Sequence, residues 1–114
     1  MHELGIVMKV VEEAERAAEQ NQVNKVRKLT MEVGEVSSIV PDLFRDCFEW
    51  AKKRTRYLQE AELEMILLKG ISYCCDCKKT YDTTQYAKIC PYCGSEKTYL
   101  VTGNEITVKG MEVE

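Results

Sequence analysis

A chain of 114 residues with 45% apolar and 31% charged side chains has room for one modest core, or for one small domain with a smaller module attached. No apolar run nears the ~20 residues needed to cross a bilayer, and Glu3, Lys9, Glu12 and Glu13 place charges where a signal peptide would be apolar. A cytoplasmic protein without membrane association is therefore expected, and the net charge of −3 argues against a nucleic-acid binder, which carries a basic surplus.

Residues 3–20 have the period of an amphipathic helix. Leu4, Val7, Met8, Val11, Ala14 and Ala18 recur at three- and four-residue steps, with Glu12, Glu15, Arg16 and Glu19 largely opposite. The polar run Asn21 to Asn24 ends it. Residues 25–34 then alternate, Leu29, Met31 and Val33 against Thr30 and Glu32, which predicts a strand with one wet face. Pro41 and Asp42 open a second helix, a proline in its first turn and an acid at its positive dipole end. Leu43, Phe44, Cys47, Phe48 and Ala51 form its apolar face. Lys52, Lys53, Arg54 and Arg56 cluster at its end, where the dipole favours cations, so a nucleic-acid patch is the weaker reading.

Residues 61–69 alternate again, Leu63, Met65 and Leu67 against Glu62 and Glu64. After Gly70 the composition changes, with five of the six cysteines and five of the six tyrosines falling in residues 71–102. A last strand spans 105–114. Its apolar phase switches between Ile106/Val108 and Met111/Val113, and a bulge at Gly110 would restore one face. The order helix, strand, helix, strand, cysteine module, strand predicts an α+β fold. Residues 1–70 and 103–114 form one domain, and residues 71–102 are inserted before a strand that returns to the first sheet, since two strands under two helices make a meagre sheet.

In a cytosolic chain, paired cysteines mark a metal or redox site. Cys74-x-x-Cys77 and Cys90-x-x-Cys93 stand twelve residues apart. Each pair suits a knuckle, and two knuckles complete a tetrahedral four-thiolate zinc site. Pro91 stiffens the second turn, and Gly94 permits a positive φ that turns amides toward sulfur. Four thiolates close the coordination shell, so the metal is structural rather than catalytic. A module of this size cannot hold itself by apolar burial, and zinc can supply ~10–16 kcal/mol of its folding free energy. Tyr73, Tyr81, Tyr86, Tyr92 and Tyr99 are read as its small core, Cys75 as a bystander and Cys47 as a small buried hydrophobe. A rubredoxin-like iron centre, a pair of disulfides and a thiol oxidoreductase are the alternatives for the cysteines. A zinc-ribbon adaptor binding nucleic acid or protein is a further rival, although the charge around the module, five lysines (Lys69, Lys78, Lys79, Lys88, Lys97) against Asp76, Asp82 and Glu96, is only +2, a weak phosphate-binding surface.

The one histidine of the chain is residue 2. The Met1 amine, the His2 amide nitrogen and the His2 imidazole can close adjacent small chelate rings on one metal. The Glu3 amide nitrogen or its carboxylate can supply a fourth donor, and in-plane nitrogen donors suit Ni(II) or Cu(II). The first N–H groups of a helix have no intrahelical partner, so metallating these amides sacrifices no helix hydrogen bond. By itself the motif is weak, since any chain beginning Met-His would show it.

MHE at the start, MEVGEVSSIVPDLF (31–44), the paired CxxC knuckles and TGNEITVKGMEVE (102–114) together resemble the HypA/HybF family over essentially the whole chain. These are nickel-insertion accessory proteins of [NiFe]-hydrogenase maturation. The resemblance implies a metallochaperone without catalytic activity, two helices on a three-stranded mixed sheet and a zinc domain. It implies Ni(II) at Met1, His2 and Glu3, and Zn(II) at Cys74, Cys77, Cys90 and Cys93. It further implies a HypB-type GTPase as partner and a [NiFe]-hydrogenase large subunit as client, with some members also serving urease through its accessory proteins. A monomer or a homodimer is compatible with it. Cys75 is a departure, since it makes the first knuckle CCDC, and the module has no histidine through which zinc and nickel sites could communicate.

Overall fold

A computed structural model describes residues 3–114. Its elements in chain order are α1 (Glu3–Gln20), β1 (Val26–Gly34), α2 (Pro41–Lys52), β2 (Glu62–Leu68), β3 (Ile71–Cys74), β4 (Thr80–Asp82), α3 (Thr83–Tyr86), β5 (Thr98–Thr102) and β6 (Ile106–Val113). The fold is α+β, two helices packed on a three-stranded mixed sheet with a zinc-ribbon-like insertion. The chain divides into two compact units, residues 1–31, 39–66 and 107–114, and residues 32–38 and 67–106.

The first unit is built around β1, the central strand of the sheet β2-β1-β6. The crossover through α2 between β1 and β2, and the return of β6 to the other side of β1, make the sheet mixed. The last residue closes the register: Lys25 and Glu114 exchange main-chain bonds of 3.4 and 2.8 Å. α1 and α2 pack against each other. Val7, Val10, Val11, Ala14 and Ala18 of α1, Phe44, Phe48 and Ala51 of α2, and Val26, Leu29 and Met31 of β1 are all buried, as are Leu58, Ala61 and Leu63. Each large side chain withdrawn from water here contributes roughly 1.5–3 kcal/mol.

The buried stripe of α1 is narrower than its sequence period suggests. Leu4 and Met8 are 46% and 45% exposed, and Val10 takes a core position instead. On α2, Leu43 is exposed and Cys47 half-buried, because Phe44, Phe48 and Ala51 already fill the face that meets α1. Val108 and Val113 are exposed as well; β6 is an edge strand, and it runs unbroken through Gly110.

The cations after α2 serve its end. Arg54 donates to the Trp50 carbonyl at 3.0 Å and stacks over the Trp50 ring at 3.8 Å. Lys52 donates to the Ala61 carbonyl at 3.0 Å and pairs with Glu49 at 2.8 Å. Their charge completes the helix C-terminus, as the dipole favours. Glu15 of α1 accepts from the main-chain N–H groups of Arg56 and Tyr57, fixing the turn that follows.

The second unit holds the antiparallel sheet β4-β3-β5, with β3 central. Its edge is stitched by main-chain contacts. The Glu35 carboxylate accepts from Gly70 N–H at 2.8 Å, and Val36 N–H donates to the Gly103 carbonyl at 2.8 Å. Gly34 and Gly103 meet so closely that a Cβ on Gly34 would lie 1.9 Å from the Gly103 oxygen. Gly103 also has φ +111, which a side chain rarely tolerates. Asp82 caps α3, its carboxylate accepting from Thr84 N–H at 3.0 Å. Of the five tyrosines expected to form a small core, only Tyr81 is buried, its hydroxyl donating to the Ala87 carbonyl at 2.7 Å. Tyr73 is half-buried and tilts against Tyr99 at 5.4 Å, while Tyr86, Tyr92 and Tyr99 are exposed. So short a module has too little interior for five rings; what it buries instead is Cys74, Tyr81 and Cys90, with Cys77 against them.

Candidate metal centre

Two loops bring four sulfurs together in the second unit, and the two loops are built alike. In the first, Cys74 N–H donates to the Lys79 carbonyl at 2.9 Å and Lys78 N–H to the Cys74 carbonyl at 2.9 Å. In the second, Cys90 N–H donates to the Ser95 carbonyl at 3.0 Å and Gly94 N–H to the Cys90 carbonyl at 2.8 Å. The residue after each second cysteine takes a left-handed conformation, φ +60 at Lys78 and +75 at Gly94. Gly94 does so without strain, whereas Lys78 carries a side chain into a region that disfavours one. Tyr92 N–H points at the Cys90 sulfur, 3.4 Å away. Asp76 of the first loop bonds to the Ser95 hydroxyl of the second, and Cys75 N–H donates to the Lys97 carbonyl at 2.9 Å. These bonds hold the knuckles face to face.

The Sγ atoms of Cys74, Cys77, Cys90 and Cys93 all lie within 4.8 Å of one another. Cys74–Cys93 are 3.6 Å apart and Cys77–Cys90 3.5 Å. Bonds of about 2.3 Å from four sulfurs to one tetrahedral centre give edges of roughly 3.8 Å, so the spacing fits a zinc-sized ion. None of the cysteines is in a disulfide. The thiols do not share one proton affinity. The Cys77 amide, hydrogen-bonding to the Cys74 sulfur, brings that thiol down to about 7. Burial, with the neighbouring Cys90 thiol, pushes Cys77 up to about 12. Four thiolates this close repel one another, and a dication relieves the repulsion. The donor set therefore suits zinc, held by Cys74, Cys77, Cys90 and Cys93, which would cross-link two loops that share little apolar core. Cys75 is exposed and outside the cluster, and Cys47 lies in the first unit.

Met1 and His2, the other ligands expected from the sequence, lie outside the described residues. Glu3 is described, and its carboxylate is engaged. It is 3% exposed, and its Oε2 accepts from Val40 N–H at 3.0 Å. Val40 is the N-cap of α2 and makes no side-chain cap of its own. Sequence reasoning missed this pairing, although a signal was present: a valine stands before Pro41 where a Ser, Thr, Asp or Asn would normally cap the helix, so the cap had to come from elsewhere.

An α+β domain with a closed four-thiolate knuckle pair defines a metal-binding accessory protein, because such a site leaves no open position for a reacting substrate. Among the described residues no helix is long and apolar enough to cross a membrane. The sequence model of the family described as "Hydrogenase/urease nickel incorporation, metallochaperone, hypA" matches residues 1–113, and the chain belongs to that family. Its members are metallochaperones, not enzymes. A hydrogenase maturation factor HypA from Geobacter metallireducens is 38% identical over 114 residues, covering all of both chains. Another, from Rhodopseudomonas palustris, is 33% identical over the same span. The solution structure of the Ni metallochaperone HypA from Helicobacter pylori superposes with a TM-score of 0.73 at 25% identity, over 99% of this chain and 97% of that one.

Proposed function

We propose that this chain binds Ni(II) at its Met1-His2-Glu3 terminus and delivers it to the large subunit of a [NiFe]-hydrogenase during maturation, with Zn(II) on Cys74, Cys77, Cys90 and Cys93 as a structural site. The observation that carries this reading is the family match itself. It begins at residue 1 and so takes in the Met-His-Glu start. Nickel is cargo, held by the Met1 amine, the His2 imidazole and one or two main-chain amides. Protonating the amine or the imidazole weakens such a site, so it releases metal as pH falls. A partner with stronger donors takes the ion through a shared-ligand intermediate. A HypB-type GTPase is the partner this scheme requires, in the cytoplasm, and urease is a possible second client in view of the family's description. On this reading residues 1–70 and 103–114 are the nickel-binding domain and residues 71–102 the zinc domain.

Calorimetric titration of Ni(II) into untagged, zinc-loaded protein, beside His2→Ala, tests it. One nickel per chain, lost in the variant and weakened by a one-residue N-terminal extension, is the expected result. Equal binding in all three would move nickel away from the terminus and leave a zinc-ribbon adaptor as the better description.

A further inference from the structure

The Glu3 carboxylate offers two chemistries for one side chain. It is a plausible nickel oxygen donor by sequence, yet in the fold it is buried and occupied. A buried carboxylate persists only where hydrogen bonds replace its water, and Val40 N–H supplies one at 3.0 Å. The acceptor matters to α2 as well. Val40 is extended, at φ −90 and ψ 110, with no capping oxygen in its own side chain. Pro41 has no N–H to offer. A carboxylate from the first residue of α1 therefore places an anion at the positive end of a helix that has no local cap. Through the same residue it fixes the main chain next to His2. The Glu3 N–H, at the start of α1, has no intrahelical acceptor, so its nitrogen is available to a metal while its carboxylate is not.

We infer that Glu3 is a positioning residue: its carboxylate docks the start of α1 on the N-terminus of α2, and it contributes to the metal only through its main-chain nitrogen. This rests on the terminal-chelate reading above and specifies how that site is held. Ordering one residue of a chelate before metal arrives removes part of the entropy cost of closing it. Groups that orient metal ligands in this way commonly change affinity by about 10–100-fold when removed.

The test is Ni(II) titration of the full zinc-loaded chain as wild type, His2→Ala, Glu3→Gln, Glu3→Ala and Val40→Pro. The Ni(II) ligand-field spectrum and the Val40 amide resonance are recorded for each, except that Val40→Pro has no such amide. Glu3→Gln keeps an acceptor oxygen and is expected to bind within about twofold of wild type, with an unshifted spectrum. Glu3→Ala and Val40→Pro, which remove opposite halves of the same bond, are each expected to weaken nickel by about tenfold. In metal-free protein the Val40 amide proton should move upfield and exchange faster in Glu3→Ala than in wild type. Loss of nickel in Glu3→Gln with a shifted spectrum would make the carboxylate a ligand and overturn the inference. Wild-type binding by both Glu3→Ala and Val40→Pro would overturn it too. His2→Ala binding as tightly as wild type would instead sink the terminal chelate itself, and with it the metal half of the inference; the Val40 amide would still report separately on the docking. A thermal melt of each variant separates weakened binding from lost folding.

Discussion

The two units of this chain are held by different forces. In the first, Phe44, Phe48, Leu29, Met31, Leu58 and Val7 are fully buried among two helices and a sheet, an arrangement that excludes water by packing. In the second, the buried cluster is two cysteines and a tyrosine with Cys77 beside them, and the rest is main-chain bonding between knuckles and short strands. Packing can hold the first unit unaided. The second has little apolar surface to bury, so a metal cross-link must do much of what a core does elsewhere.

Removing zinc is the strongest way to break that contrast. Chelation, or Cys90→Ser, should unfold the second unit while the first keeps its structure, since structural zinc supplies ~10–16 kcal/mol. Hydrogen exchange read residue by residue should show protection lost over 71–102 and kept at Val7 and Phe48; uniform loss would mean that the units do not differ as described. Phe48→Ala is the converse. It should cost about 3–5 kcal/mol by opening a cavity, lower the thermal midpoint of the first unit, and leave one zinc per chain by elemental analysis.

Smaller changes sharpen the comparison within the second unit. The knuckles share one bonding scheme, but only one has glycine at its left-handed position. Lys78→Gly should therefore stabilise the zinc-loaded protein by up to about 1 kcal/mol in chemical denaturation, and Gly94→Ala should destabilise it by a similar amount. The smallest effect belongs to Asp82. The Thr84 hydroxyl, above all, and then Lys69 hold its carboxyl below the ordinary 3.8. A depressed folded value means that the cap's contribution is fully present above the unfolded value and fades only as pH falls through the folded one. Asp82→Asn should thus lower stability slightly and by the same amount at pH 6 and pH 8. A difference between those two values, in paired thermal melts, would show that another group titrates with the cap.

Much of this was legible in the sequence because it depends on local periods and spacings. The three- and four-residue recurrence from Val7 to Ala18, the alternation of Leu29, Met31 and Val33, and Pro41 at a helix start each report an interaction within one element. The spacing of Cys74, Cys77, Cys90 and Cys93 defines a knuckle pair for the same reason: the ligand geometry is built within each loop. The exposure of Leu4, Met8 and Leu43, apolar residues flanking a buried stripe, could not be read in this way. How wide a stripe is covered depends on the neighbour that covers it, not on the helix that carries it.

The sequence by itself determined the element order, the apolar faces and the four sulfurs, since each follows from residues close in the chain. Only the tertiary structure decided which contacts join distant residues. It set Gly34 against Gly103, where two backbones meet with no room for a Cβ. It left one tyrosine of five in the interior of the ribbon. It also turned Glu3 toward Val40, 37 positions away, because a helix opening on Val-Pro has no oxygen of its own to meet its first N–H, and a buried carboxylate needs such a donor.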